Sequence, residues 1–380
     1  MAYQLLHFSD LHLDASFAAD GSTAQVGAWR RADLRATLGR VLALARERRV
    51  DAITIAGDLY EQEYALPDTG EFLAQQFARL TPIRVFVAPG KHDPLTTRSL
   101  YALTRWSPNV HIFSQGQLAP LELAPDVHLW GAAHPAAQDN RAVERTRVNR
   151  SGINILLLHA SESSGTKSAA EAHFIVDAEA VRNAGFDFAL LGHRHTARAW
   201  PDEAPCCAYP GSPEPLCWDE ADGGHGVGLL TIDEGQVRFE QIPISQWRYW
   251  ATEAELTDCH SLEEALKRIH RSLSIAPGGP DERLICRVTL TGSPDFDLDL
   301  TTLARALEVR AHVQLKARLA LGRDLEQLAA EQTVRGLLVR RFQARPASAR
   351  DPEERRATPK ALALALDALE GRQVRPHEIA

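Results

Sequence analysis

No run in this chain approaches the roughly eighteen consecutive apolar residues that a membrane-spanning helix needs. The opening "MAYQLLHFSDLHLD" has neither a basic n-region nor a long apolar h-region, so it does not read as a secretory signal, and a cytoplasmic location follows as the default. Cysteine is scarce and unpatterned. Cys206, Cys207, Cys217, Cys259 and Cys286 are odd in number and lack CxxC spacing, which suits reduced thiols rather than a disulfide frame or a zinc knuckle. An excess of positive charge is also missing: 42 Lys and Arg stand against 50 Asp and Glu, a net charge of -8, which excludes generic polyanion binding by the whole chain. The balance is uneven, because residues 301–360 hold 13 basic and 7 acidic side chains. Any electrostatic nucleic-acid surface is therefore regional, and a solvated basic face explains that segment equally well.

At 380 residues, with 44% hydrophobic and 24% charged residues, the chain has the makeup of a soluble globular protein of about two domains. Its first 240 residues alternate short apolar runs with helical patterns. "YQLLHFS", "DAITIAGD" and "IRVFVAPG" read as strands, while "RRADLRATLGRVLALARERR" and "TGEFLAQQFARL" read as helices. "VHLWGAA", "INILLLHA", "FDFALLGH", "GVGLLTID" and "VRFEQIPI" add later strands, the last two joined by "EGQ" as a hairpin. The pattern predicts an α/β fold of mixed sheets flanked by helices. After "PISQWRYW" a smaller α+β unit is expected. Ser261 and Glu264 open a helix as a capping box, "RLICRVTLTG" and "AHVQLKARLAL" follow as strands, and "DLTTLARALEVR" and "LEQLAAEQTVRGLLVRRF" follow as helices. "RPASARDPEERRATP" is linker-like. Beyond it, Thr358 as N-cap, Pro359 at the first helical position and the Leu362, Leu366 and Leu369 stripe predict a short amphipathic helix.

Polar residues of metal-ligand type recur where the apolar runs end. "FSDLHLD" supplies Asp10 and His12, "AGDLY" Asp58, "PGKHD" His92, "LLLHAS" His159, and "LLGHRH" His193 and His195. Ligands of α/β sheets bind in the crevice beyond the strands' carboxyl ends, where residues distant in sequence converge. Carboxylate and imidazole donors without thiolate favour Mn, Fe or Zn, and one carboxylate can bridge two ions about 3.5–4 Å apart. The D-x-H and H-x-H spacings place two side chains on one side of an extended segment. His134 and His173 fall outside this series and read as loop or packing residues, and His7, on the first strand, reads as buried.

The ordered series "SDLHL", "AGDLY", "PGKHD", "LLHAS" and "LGHRH" resembles the calcineurin-like metallophosphoesterase signature. Within that superfamily, "DLHLDASF", "YPGSPEPLCWDE" and the trailing small domain resemble the bacterial SbcD and YhaO-type DNA-repair exonuclease subunits. The resemblance implies a four-layer sandwich over residues 1–245, a capping and DNA-binding domain over 246–345, and a linker with an ATPase-docking helix over 346–380. It implies that Asp10, His12 and His195 hold one ion, that Asp58 bridges, and that His159 and His193 hold a second. Mn2+ is the usual ion, with Mg2+, Fe or Zn as alternatives, and one or two ions are open. His92 would stabilise the phosphate's charge or protonate the leaving oxygen, with Asp93 orienting His92 or capping the following turn. Arg194 and Arg198 lie near enough in sequence to reach a phosphate, though solvent exposure explains them more simply. The implied partners are DNA and an SMC-like coiled-coil ATPase of the SbcC/YhaN type, with a homodimer as the family often forms and no membrane.

One residue departs from the pattern. Lys91 stands where the family carries a metal-binding asparagine, and a protonated lysine has three donors and no acceptor. Three arrangements are open: one ion with the ammonium near the missing one, two ions with Lys91 swung out to the substrate phosphate, or a weakened site that binds DNA ends or scaffolds the ATPase.

Overall fold

The structure, a computed structural model, describes the chain apart from residues 1, 19–21, 134–140, 164–173, 297, 320–324, 345–360, 363, 367 and 370–380. His134, His173, Thr358 and Pro359 lie outside the described residues. By contact, the chain divides into two compact units, Met1–Trp250 with Arg283–Ile285, and Ala251–Glu282 with Cys286–Ala380.

In the first unit, β1 (Tyr3–Phe8), β2 (Ala52–Ile55), β3 (Arg84–Val87) and β4 (Val110–Ile112) run parallel side by side. A second sheet contains β5 (Ala119–Ala124), β6 (Val127–Gly131), β7 (Ile153–Glu162), β8 (Phe174–Val176), β9 (Phe188–Gly192), β10 (Arg198–Trp200) and β11 (Cys207–Tyr209). Its order is β10-β11-β9-β7-β6-β5, with β8 paired to β7. β12 (Gly226–Asp233) and β13 (Gln236–Pro243) then return antiparallel to the first sheet, completing the order β13-β12-β1-β2-β3-β4. Their connection is the two-residue hairpin turn expected from "EGQ". Glu234 and Gly235 both have positive φ, 49° and 77°, which matches the twist of the flanking strands.

The strands' two-residue period sorts their side chains into three cores. Leu6 and Phe8 of β1, Ile53 and Ile55 of β2, and Val85 and Val87 of β3 face the helices Ala24–Arg48 and Pro67–Ala78. Leu5, Ala52 and Phe86, on the opposite face of the same strands, meet Ile155, Leu157, Phe188 and Leu190 of the second sheet. Leu156, Leu158, Ala189 and Leu191 cover the far side of that second sheet beneath the helix Ala178–Ala184. Strands buried on both faces read as continuous apolar runs, and the layers are helix, sheet, sheet, helix.

The second unit contains the helix Leu262–Ser274, which buries Ala265, Ile269 and Leu273. Ser261 Oγ accepts from the Glu264 amide at 3.3 Å, while the Glu264 carboxylate reaches back to the His260 amide at 2.8 Å. β14 (Arg248–Glu255), β15 (Leu284–Gly292) and β16 (His312–Leu319) form a third sheet in that order. One expectation needs correction. "LEQLAAEQTVRGLLVRRF" is two helices, Leu325–Ala330 and Val334–Gln343. Thr333 restarts the chain by accepting from the Gly336 amide, and a side chain at Gly336 would stand 2.2 Å from the Glu331 carbonyl. Leu362 and Leu366 are buried against Val339, whereas Leu369 is 48% exposed. No helix among the described residues is long and apolar enough to cross a membrane.

Candidate metal centre

The parallel strands β1, β2 and β3 deliver their carboxyl ends to one edge, and β7 and β9 deliver theirs beside it. Backbone pairing continues past the strands, with the Asp10 amide donating to Gly57 O and the His12 amide to Asp58 O, both at 3.0 Å. Asp10, His12, Asp58 and His193 have positive φ of 56°, 48°, 51° and 108°, a conformation non-glycine residues avoid unless the surroundings enforce it. Close approach of the β2 and β3 loops explains the glycine of "PGKHD". A Cβ on Gly90 would lie 2.3 Å from Asp58 Oδ1 and 2.6 Å from the Asp58 nitrogen.

All seven ligand-type residues singled out in the sequence gather at this edge. Asp10, His12 and His195 each offer an atom within 4.8 Å of the others, and Asp10, Asp58 and His159 do the same. The His193 amide donates to the Asp10 carboxylate at 3.0 and 3.1 Å, and its ring centroid is 5.4 Å from that of His159. The His92 amide donates to Asp58 Oδ1 at 2.8 Å, and its ring is 4.9 Å from that of His12. Lys91 is exposed.

The tautomers test whether a cation fits. His159 Nδ1 lies 2.9 Å from the Ala56 carbonyl, which only accepts, so Nδ1 carries the proton and Nε2 is turned toward Asp58 Oδ2 at 3.3 Å. His12 Nδ1 is 2.6 Å from Glu61 Oε1, and His195 Nδ1 is 2.7 Å from Glu220 Oε1. His12 Nε2 is buried without a hydrogen-bond partner among the described residues, 3.8 Å from Asp58 Oδ2. His195 Nε2 is 3.8 Å from Asp10 Oδ1. The Nε2 atoms of His12 and His159, held toward the Asp58 carboxylate, present lone pairs that a divalent cation satisfies, and His195 Nε2 would join them once a cation displaces its proton. Carboxylates or carbonyls on the far nitrogens are the usual outer partners of metal-bound histidine.

Sequence reading missed Glu61 and Glu220. Glu61 holds two rings, since its Oε2 also accepts from His92 Nδ1 at 2.9 Å. Burial alone would raise the Glu61 carboxyl, but the His12 and His92 hydrogen bonds bring it down to about 2. Burial likewise opposes the charged forms of Asp58 and His195. His159, His12 and His92 nonetheless hold Asp58 well below its ordinary range, and Glu220 and Asp10 push His195 up to about 9. Glu61 lies three residues beyond Asp58 in "GDLYE", and Glu220 closes the quoted block "YPGSPEPLCWDE", so position relative to those blocks was the available signal.

Asp93 neither orients His92 nor caps the turn after it. Its carboxylate is fully buried and accepts from the amides of Asp58, Leu59 and Gly90 and from the Tyr101 hydroxyl, while Glu61 orients His92. His7 is buried as expected, with Nε2 donating to Leu191 O at 3.1 Å, and burial lowers its pKa to about 4. Arg194 and Arg198 are exposed, and Arg198 pairs with Glu162 at 3.0 Å. A cleft of about 680 Å³ opens beside the centre, lined by His12, His92, His195, Glu61 and Lys91, with Phe17, Tyr64, Pro94 and Leu216 among its apolar walls.

A Bacillus subtilis (strain 168) protein, "Uncharacterized metallophosphoesterase YhaO", is 28% identical over 249 residues, covering 62% of this chain and 59% of its own length. The chain thus spans about six tenths of that relative. The crystal structure of TT1561 of Thermus thermophilus aligns with 63% of this chain and 99% of its own, at 12% identity and a TM-score of 0.37. The family model for calcineurin-like phosphoesterases matches residues 3–197, just over half of the chain, and encloses every ligand-type residue of the centre. The chain belongs to the calcineurin-like phosphoesterase family.

Proposed function

We propose that this chain is a metal-dependent DNA phosphodiesterase, an exonuclease or endonuclease of DNA repair that works with an SMC-like coiled-coil ATPase. The observation that carries the hydrolytic part is the pair of ligand clusters sharing Asp10, with His92 on the same cleft. The DNA and ATPase parts rest on the resemblance of "DLHLDASF" and "YPGSPEPLCWDE" to SbcD and YhaO-type subunits. Asp10, His12 and His195 would hold one ion, Asp58 would bridge, and His159 and His193 would hold a second, with Mn2+ the proposed metal. A divalent ion held by these residues would supply Lewis-acid polarisation of a phosphoryl oxygen and lower the pKa of water for attack near neutral pH. The protein's own contribution is proton transfer at His92. The Glu61 hydrogen bond raises the His92 pKa, against the pull of burial and with Asp58 assisting, which favours a ring that hands its proton to the leaving oxygen.

Purified protein with Mn2+ is expected to cleave labelled single-stranded and duplex DNA in a chelator-sensitive way. Hydrolysis of a chromogenic diester without cleavage of either DNA would retain the phosphoesterase and remove the nuclease. Co-purification tests the partner: it should be lost in Leu369→Asp, the exposed member of the leucine stripe, and its retention would place docking elsewhere.

Lys91 supports a second reading, a subunit with weakened or absent turnover that binds DNA ends or scaffolds the ATPase. The side chain is exposed on the cleft and has no lone pair for an ion when protonated. Lys91→Asn is expected to tighten binding of the second ion by about 10-fold or more, measured by calorimetry with Mn2+. Nuclease activity present only in Lys91→Asn would decide for the second reading. Unchanged ion affinity would show that position 91 is not a ligand position in this chain.

A further inference from the structure

We propose that the cleft beside the metal centre receives an unpaired nucleotide, whose base stacks on Tyr64 while its phosphate meets Lys91. This inference rests on the phosphodiesterase reading and names the substrate unit that reading leaves open.

Tyr64 is 55% exposed, yet its backbone is closely held. The Glu61 amide donates to Leu13 O at 2.9 Å, the Gln62 amide donates to His92 O at 3.0 Å, and the Tyr64 and Ala65 amides close a turn onto Glu61 O at 3.0 and 2.8 Å. The ring is therefore mounted on the same short segment whose first residue, Glu61, orients His12 and His92. An aromatic side chain left open to solvent on a pinned turn loses little freedom when a ligand covers it. The backbone that carries the ring is fixed relative to the candidate centre by these hydrogen bonds.

The cleft's other walls supply one cation and a suitable size. Lys91 is the one Lys or Arg among the described lining residues; of the two acidic ones, Glu61 already holds two imidazoles and Glu63 is exposed to solvent, so Lys91 is the cation left to meet a phosphate. A cleft of about 680 Å³ lies within the usual range for small-ligand sites, about 300–1,000 Å³, which suits a single nucleotide rather than a duplex. Every base has a π face, so an aromatic platform beside one cation selects for an unpaired base without selecting its identity.

The test compares binding of two short fluorescent DNA strands to the full chain by anisotropy, with no metal added. One strand is oligothymidylate and the other carries abasic sites throughout, so the phosphates are the same and only the bases differ. The native protein is expected to prefer the base-bearing strand by roughly 10-fold. Tyr64→Ala should lose that preference, and Tyr64→Trp should keep it, which separates stacking from a folding defect. A preference that survives in Tyr64→Ala would overturn the proposal. Equal binding of both strands by the native protein would remove the platform while leaving the DNA reading standing. Binding of neither strand, with hydrolysis of a chromogenic diester intact, would remove the DNA reading and this inference with it.

Discussion

Replacing Asp93 by alanine is expected to lower the unfolding free energy by about 3–5 kcal/mol, because it leaves several buried donors without an acceptor, each costing about 1–3 kcal/mol before relaxation. The carboxylate is fully buried and accepts four hydrogen bonds: the amides of Asp58 and Gly90 at Oδ1, and the Leu59 amide and Tyr101 hydroxyl at Oδ2. Alanine strands all four donors at the junction of the β2 and β3 loops, where a Cβ on Gly90 would already collide with Asp58. For a unit of this size, each kcal/mol corresponds to about 2–4 °C, so the melting temperature should fall by about 10 °C. Asparagine should fall between. With its amide nitrogen at the Oδ2 position it meets the Leu59 N–H unfavourably, while the Tyr101 hydroxyl can rotate to accept. Tyr101→Phe removes one donor without leaving an orphan and should cost about 1 kcal/mol. Thermal melts of the three variants check the order, and an alanine variant melting within about 2 °C of the native protein would sink the account.

That network shows where sequence legibility ends. Asp10, His12, Asp58, His92, His159, His193 and His195 could be read because each follows or ends an apolar run, and parallel strands carry their ends to one edge. The layers were legible for the same reason: strands such as "INILLLHA", buried on both faces, have no alternation and stand out as runs. Asp93 could be seen but not assigned, because its partners are backbone amides of Asp58, Leu59 and Gly90, and amides have no sequence signature. Glu61 and Glu220 lie in turns where acidic residues are common, and only the folded rings of His12, His92 and His195 give them a role. The break between Ala330 and Val334 escaped because Thr333 and Gly336 act through a cap and a close backbone approach, which helical periodicity does not register.

Glu61→Ala is expected to weaken binding of the first ion by about 10- to 100-fold and to lower turnover of a diester by about 100-fold or more. Two causes add. His12 loses the acceptor that keeps the proton on Nδ1 and leaves Nε2 open toward Asp58, and His92 loses the charge that raises its pKa. Glutamine separates them. Its one amide oxygen can accept from only one of the two Nδ1–H groups, and its NH2 forces the other ring to accept at Nδ1. If the oxygen serves His12, ion affinity stays within about 10-fold of native while His92 remains neutral, so turnover falls further than affinity. If it serves His92, Nε2 of His12 carries the proton and ion binding fails first. Calorimetry with Mn2+ and steady-state hydrolysis of a chromogenic diester read the two losses independently. A purely structural Glu61 would lower the melting temperature and leave both ion affinity and turnover per folded molecule unchanged. That outcome would remove Glu61 from the site and leave His92 without the carboxylate that prepares it as an acid.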